Sequence, residues 1–341
     1  MAAQEALVEA LAGSIGAVIG VGITYPLTTI STWQALDHNT KNEEKSELGP
    51  GAAAKTGLQL PTPLRELRAY SRDKGWAALF GGVRPCLAAT AVSQAAYFFL
   101  YSSLRHAVVA RNTKRNTGGG TADAHTAAIG VAGSLLVAGL SGAGCVLLTN
   151  PAWVIATQML SNAKSSDVET RQLTTTQVVV RVYEESGLAG FWKGLVPALV
   201  MVGNPTLQYI FYEWLTGRLL KLRRAAAAAG SRKALANVRL ETSDVFMLTA
   251  MAKCGATTFT YPMLLVKSRL QAMNKRTDEG AQYAGVRNAV ARILQAEGFG
   301  GFFKGMQLKM IQTVLSAALL MSIKERVYVG VRAALLAKPS L

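Results

Sequence analysis

Six stretches of this 341-residue chain are almost without charge. Residues 10–36, 85–104, 126–163 and 194–212 contain none, 245–266 holds only Lys253, and 305–323 holds only Lys309. Charged residues make up 16% of the whole, against about 25% in soluble proteins, which argues against a pair of water-soluble domains. Cysteine is scarce as well. Cys86, Cys145 and Cys254 lie singly inside apolar segments without metal-ligand spacing, so they read as small core residues. His38, His106 and His125 are scattered, which leaves no case for a metal centre. No nucleophile–base pair or phosphate-cradling glycine motif stands out, so catalysis is not expected. Acidic residues number 20 against 36 basic, a net charge of +16. Nucleic-acid binding is set aside because no basic helix interleaves with base-stacking aromatics. The basic excess suits loops near anionic lipid, or an anionic ligand. The N-terminal MAAQEALVEA has two glutamates and no arginine, so neither a secretory signal nor a transit peptide is predicted.

What is present is a threefold pattern. A spanning helix needs roughly 20 apolar residues, and the six uncharged stretches reach or approach that length. Their Gly, Ala and Ser content suits close helix packing in lipid. Tyr25-Pro26, Asn150-Pro151 and Tyr261-Pro262 each sit toward the end of such a stretch. Phe80-Gly81-Gly82, Trp192-Lys193-Gly194 and Phe303-Lys304-Gly305 follow in turn, at a period of about 110 residues, far above that of soluble solenoids. The chain is therefore read as an all-α membrane protein of six transmembrane helices in three repeats, 4–110, 124–222 and 239–335. Residues 111–123 and the basic stretch 223–238 are read as linkers, and 38–60, 112–123 and 223–238 as disordered. A short amphipathic helix is predicted before the glycine signature. In repeat two it spans Thr175 to Glu185, with Val178, Val179 and Val182 on one face. In repeat three it spans Val286 to Ala296, with Val290, Ile293 and Leu294. Proline inside a helix removes a hydrogen bond and kinks it. The residues after Pro262 still read as helix, so Pro26, Pro151 and Pro262 are taken as kinks that close one side of a central cavity.

The third repeat reads Pro262, Lys267, Arg269 and Gln271, then Glu297-Gly298 and Phe303-Lys304-Gly305. This resembles the signature of the mitochondrial carrier family, over almost the whole chain. The stretches Leu148 to Ile155, Asn204 to Tyr209, Ala252 to Thr257 and Lys309 to Leu315 are similar to the family's peroxisomal branch, above all to its plant-type NAD carriers. The resemblance implies six tilted helices around a substrate path. It also implies a peroxisomal membrane, or alternatively the mitochondrial inner membrane. NAD would be imported in exchange for AMP or ADP, with coenzyme A or ATP as rival substrates and no bound cofactor. A non-transporting scaffold and a soluble helical module are the rival classes. A monomer is expected, with import factors for peroxisomal membrane proteins as the implied partners.

The departures from the family pattern matter. It expects an acid two residues after each proline and a base three further on, forming a ring of ion pairs at one gate. Here those positions hold Thr28/Ser31, Trp153/Ala156 and Leu264/Lys267. The opposite gate is thinned to Arg105, Glu213 and Glu325. With no acid the first ring cannot form, so weak gates and some uniport are expected.

Among the residues for substrate, Lys253 is the sharpest candidate, since a lone charge in an apolar span normally faces a cavity. Lys309 and Arg84 stand near helix ends, where contact with substrate competes with snorkelling to the interface. Gln94, Asn204, Gln208 and Gln312 are amides in apolar runs that demand partners, either neighbouring helices or the edges of a base. Tyr97, Phe98, Phe99 and Tyr209 are read as stacking surfaces or as packing.

Overall fold

The computed structural model describes residues 2–37, 68, 70, 72, 75–116, 131–165, 167–230, 240–273, 283, 285–319 and 323. Within them every regular element is helical. Repeat one supplies α1 (Ala2–Leu36) and α2 (Val83–Asn116). Repeat two supplies α3 (Val131–Asn162), the short α4 (Thr175–Ser186) and α5 (Asn204–Gly230), the last entered through Leu195–Val200 and a tight turn Met201–Gly203. Repeat three supplies α6 (Thr242–Ala272), the short α7 (Val286–Glu297) and α8 (306–319). The helices run further than expected at two points. α2 continues to Asn116 and α5 to Gly230, through part of both stretches read as disordered. The five-alanine run explains the second extension, because alanine has the highest helix propensity. The expectation for 38–60 falls outside the described residues.

Length and composition alone qualify Ser14–Leu36, Gly133–Asn162 and Leu188–Ala225 as spans, with mean hydropathy of 1.4, 1.5 and 1.2. α6 falls short because one of its faces is polar, carrying Thr249, Lys253, Thr257 and Thr260 toward a cavity.

Pro26, Pro151 and Pro262 lie inside α1, α3 and α6, which continue to Leu36, Asn162 and Ala272. Each proline withholds the N–H that the carbonyl four residues earlier would accept. At Pro151 the released carbonyl of Leu147 accepts instead from the Trp192 indole at 3.0 Å. The aromatic of the second signature therefore satisfies a bond that the proline left open.

Each residue preceding a proline reaches the signature of its own repeat. Tyr25 Oη donates to the Gly81 carbonyl at 2.9 Å and Tyr261 Oη to that of Lys304 at 2.6 Å. Asn150 Nδ2 donates to Lys193 at 3.2 Å and to Phe191 at 2.9 Å. Phe80 and Phe303 stack on the two tyrosines. The signature's last glycine then faces the next repeat. Gly82, Gly194 and Gly305 have φ of 76°, 71° and 76°. A Cβ would meet the Leu160 nitrogen at 3.2 Å, the Lys267 carbonyl at 3.2 Å and the Ser31 carbonyl at 2.5 Å, respectively. Glycine is required there for both the left-handed backbone and the close approach.

The short helices lie beside this end. Thr174 caps α4, its hydroxyl accepting from the Gln177 N–H while the Gln177 side chain accepts from the Thr174 N–H at 2.8 Å. α4 buries Val178 and Val182, as their spacing predicts. α7 buries Ala289 and Ile293, whereas Leu294 is 53% exposed, contrary to the expected face. The i, i+4 pair sets the inner stripe, and Leu294 falls one residue beyond it.

Candidate functional site

The proline end is shut by contacts between repeats. Arg269 lies seven residues after Pro262 and donates to the Ala35 carbonyl at 2.8 Å; Trp33, seven after Pro26, donates to Leu160 at 2.8 Å. Ala35 and Leu160 both lie nine residues past their own prolines. The rule is thus a donor at the seventh position and a carbonyl at the ninth of the next repeat. The third member, Gln158, is 3% exposed and its Nε2 finds no partner among the described residues.

The acid–base ring is replaced by other chemistry. Trp153 donates from Nε1 to Ser93 Oγ at 2.9 Å, and Lys267 Nζ lies 5.7 Å from the Trp153 ring centroid, a cation–π pair. One indole therefore links all three repeats. Gln271, 2% exposed, donates to Asn150 Oδ1 at 3.3 Å and accepts from Thr157 at 3.2 Å. Arg269 is held bidentate by Glu297 at 2.6 and 3.0 Å, and Lys304 reaches the same carboxylate at 2.7 Å. Burial by itself would raise the Glu297 carboxyl. Hydrogen bonds from Arg269 and Lys304 outweigh it and hold the group below the ordinary glutamate value.

Past this closed end lies a cavity of about 530 Å³ between α5, α6 and α8. Lys253, Thr257, Thr260 and Leu264 line it from α6, Asn204 and Gln208 from α5, and Lys309, Gln312, Thr313 and Ser316 from α8. Its lining contains no Asp or Glu. Lys253 and Lys309 both line it, and neither forms a salt bridge among the described residues. Such a wall attracts an anion, because a membrane-buried ammonium without a counter-ion is costly. Asn204 Nδ2 donates to Thr260 Oγ1 at 2.7 Å, which orients its carbonyl oxygen. Gln312 is 7% exposed; its Nε2 donates to Thr24 at 3.3 Å and its Oε1 has no partner.

Five of the seven residues singled out for substrate thus share one cavity: Lys253, Lys309, Asn204, Gln208 and Gln312. Arg84 and Gln94 lie outside its lining, and Arg84 is exposed at the start of α2. Tyr97 stacks on Tyr101, while Phe99 and Tyr209 are exposed; the aromatic in the wall is Phe246. Arg105 and Glu213 are exposed and form no ion pair among the described residues; Glu325 falls outside them. The sequence reading did not single out Thr249, Thr257, Thr260, Thr313 and Ser316. Their recurrence at helical spacing on α6 and α8 is the signal that finds them.

Residues 3–112, 128–222 and 239–332 each match the mitochondrial carrier protein family. The chain is 37% identical to the peroxisomal nicotinamide adenine dinucleotide carrier of Arabidopsis thaliana, covering 96% of this chain and 97% of that protein. It is 29% identical to peroxisomal membrane protein PMP34 of Mus musculus, over 94% and 92% of the two chains. The chloroplastic nicotinamide adenine dinucleotide transporter 1 of Arabidopsis thaliana is 25% identical, over 95% and 92%. With three matched repeats, three prolines inside three helices and an acid-free cavity lined by α5, α6 and α8, the chain belongs to the mitochondrial carrier family and is a membrane transporter, not an enzyme.

Proposed function

We propose that this transporter brings NAD+ into peroxisomes in exchange for AMP or ADP. The observation that carries the reading is the pair Lys253 and Lys309 in a cavity wall without acid. A pyrophosphate supplies the negative charge these lysines lack, and the nearby amides and hydroxyls suit ribose and base. A lone charge in a span costs about 2.5–3.5 kcal/mol, so the filled cavity is favoured over the empty one. The volume of about 530 Å³ lies inside the range of small-ligand sites, roughly 300–1,000 Å³. The choice of NAD+ and of the peroxisome rests on similarity to the peroxisomal NAD carrier.

In this reading the substrate sits above the closed proline end. Lys253 and Lys309 hold the phosphates, while Asn204, Gln208 and the Gln312 oxygen receive ribose and base. Arg84 and Gln94 are assigned no contact. Exchange follows when the proline end opens and the opposite end closes, with Arg105, Glu213 and Glu325 as the remaining charged gate positions there. The bundle acts as a monomer, since the three repeats already surround the path, and import factors for peroxisomal membrane proteins would deliver it.

The test is uptake of labelled NAD+ into liposomes that contain the purified protein and internal AMP, with Lys253→Ala alongside. Saturable uptake that needs internal AMP and collapses in the variant is expected. Entry of coenzyme A or ATP while NAD+ stays outside would move the substrate assignment. No flux of any adenine nucleotide would replace it with a scaffold.

A further inference from the structure

We propose that Asp37 fastens the closed proline end, tying the three repeats together on its aqueous side, and that this fastening is undone in each transport cycle. Asp37 follows the last residue of α1. Its Oδ2 accepts from Lys164 Nζ at 2.7 Å, which joins repeat one to repeat two just past the end of α3. Its backbone carbonyl accepts from two cations of repeat three, Lys304 Nζ at 3.1 Å and Arg269 Nη2 at 3.3 Å. Glu297 aims both cations by accepting from the same two nitrogens.

The arrangement is asymmetric. Asp37 lies eleven residues after Pro26, and the equivalent positions after Pro151 and Pro262 are Asn162 and Met273. At the proline end the chain thus puts an acid between repeats, nine residues beyond the position of the missing ring. The pair sits at the rim, with side chains 30% and 32% exposed. Water and salt therefore weaken it, and it can break without burying an unpaired charge. A contact of that kind suits a joint that must open repeatedly. A buried ion pair would leave an uncompensated charge behind when its partner moved.

The test rests on alternating access and not on the identity of the solute. Cys86 is 8% exposed and packs with Tyr25, Ala156 and Leu160 at the closed end, so it reports opening. The full chain with Cys145→Ala and Cys254→Ser is placed in liposomes, and the rate at which a membrane-impermeant maleimide labels Cys86 is measured. Asp37→Asn and Lys164→Met should each raise that rate about two- to fivefold, the reach of a half-exposed ion pair. The double variant should raise it no further, because the two residues act as one unit. High salt should shrink the difference. Single variants that label at the parental rate would overturn the proposal, as would a double variant whose effect is the product of the two. A Cys86 that stays unreactive in every variant would overturn it equally.

Discussion

Lys267 holds its ammonium 5.7 Å from the centre of the Trp153 indole, and these two residues occupy positions where the family pattern places a base and an acid. An aromatic face attracts a cation by its quadrupole, with about 0.5–2 kcal/mol depending on desolvation. The missing acid therefore weakens this side of the gate without abolishing it. Ser93 fixes the indole by accepting its N–H, so the ring cannot swing away from Lys267 without losing a bond.

Transport without internal counter-substrate should follow from that weaker closure. We predict measurable NAD+ uptake into empty liposomes, slower than exchange, and its loss in Trp153→Asp, which restores an ion pair with Lys267. Exchange in that variant should slow about tenfold, the equivalent of roughly 1.4 kcal/mol of added closure. Brisk exchange with no uptake into empty liposomes in the parent would refute the argument.

The cavity divides the residues first nominated for substrate. Lys253→Ala and Lys309→Ala should each lower NAD+ uptake at least about tenfold, because a charge-assisted hydrogen bond contributes roughly 1.5–3 kcal/mol. Arg84→Ala and Gln94→Ala, outside the lining, should stay within about twofold of the parent. Initial uptake rates across all four variants check this.

Glycine at the signature tests the close packing of repeats. Gly298 and Gly305 have φ of 72° and 76°, yet a Cβ on Gly298 meets nothing within 4 Å whereas one on Gly305 would lie 2.5 Å from the Ser31 carbonyl. Gly298→Ala should therefore lose only the backbone term of its glycine-type conformation (φ 72°, ψ −170°), about 1–3 kcal/mol. Gly305→Ala should lose about 3 kcal/mol or more. Thermal unfolding of both purified variants in detergent distinguishes them.

Glu297 sets an acid limit. Its folded value lies below its unfolded one, so it stabilises the fold above about pH 4.3, and that stability is lost as pH falls through the lowered value. The melting temperature should not vary through this group between about pH 8 and pH 5, and should fall below about pH 4. Glu297→Gln should lower it at neutral pH and shrink the acid drop. A variant with the parental acid profile would show that Arg269 and Lys304 do not depend on the carboxylate.

Much of this was legible in the chain before any coordinates. Charge-free stretches, three prolines and three glycine signatures are local patterns, and lipid admits few backbones that satisfy every N–H and C=O, so the pattern dictates a helical bundle. Lone lysines and amides in apolar runs pointed to a cavity for the same reason: burying them elsewhere costs too much. The seam between repeats could not be read. Its acceptors include the carbonyls of Ala35 and Leu160, and a backbone carbonyl carries no side-chain identity to signal its partner.

Nor do the threonines stand out one by one; only their shared helical spacing marks them. Thr249, Thr260 and Thr313 also donate to carbonyls one turn back in their own helices, so in sequence they look like ordinary helix residues. Arg84 and Gln94 share the composition of the cavity residues but not their place, because the direction in which a helix face points is set by its neighbours. The sequence by itself determined the repeat, the helices and their breaks, which depend on each residue's own preference for lipid, water and backbone shape. Only the tertiary structure decided which polar groups meet, that an indole and an aspartate carbonyl stand in for the absent ring, and that five nominated residues share a wall, since those outcomes depend on distances between segments far apart in the chain.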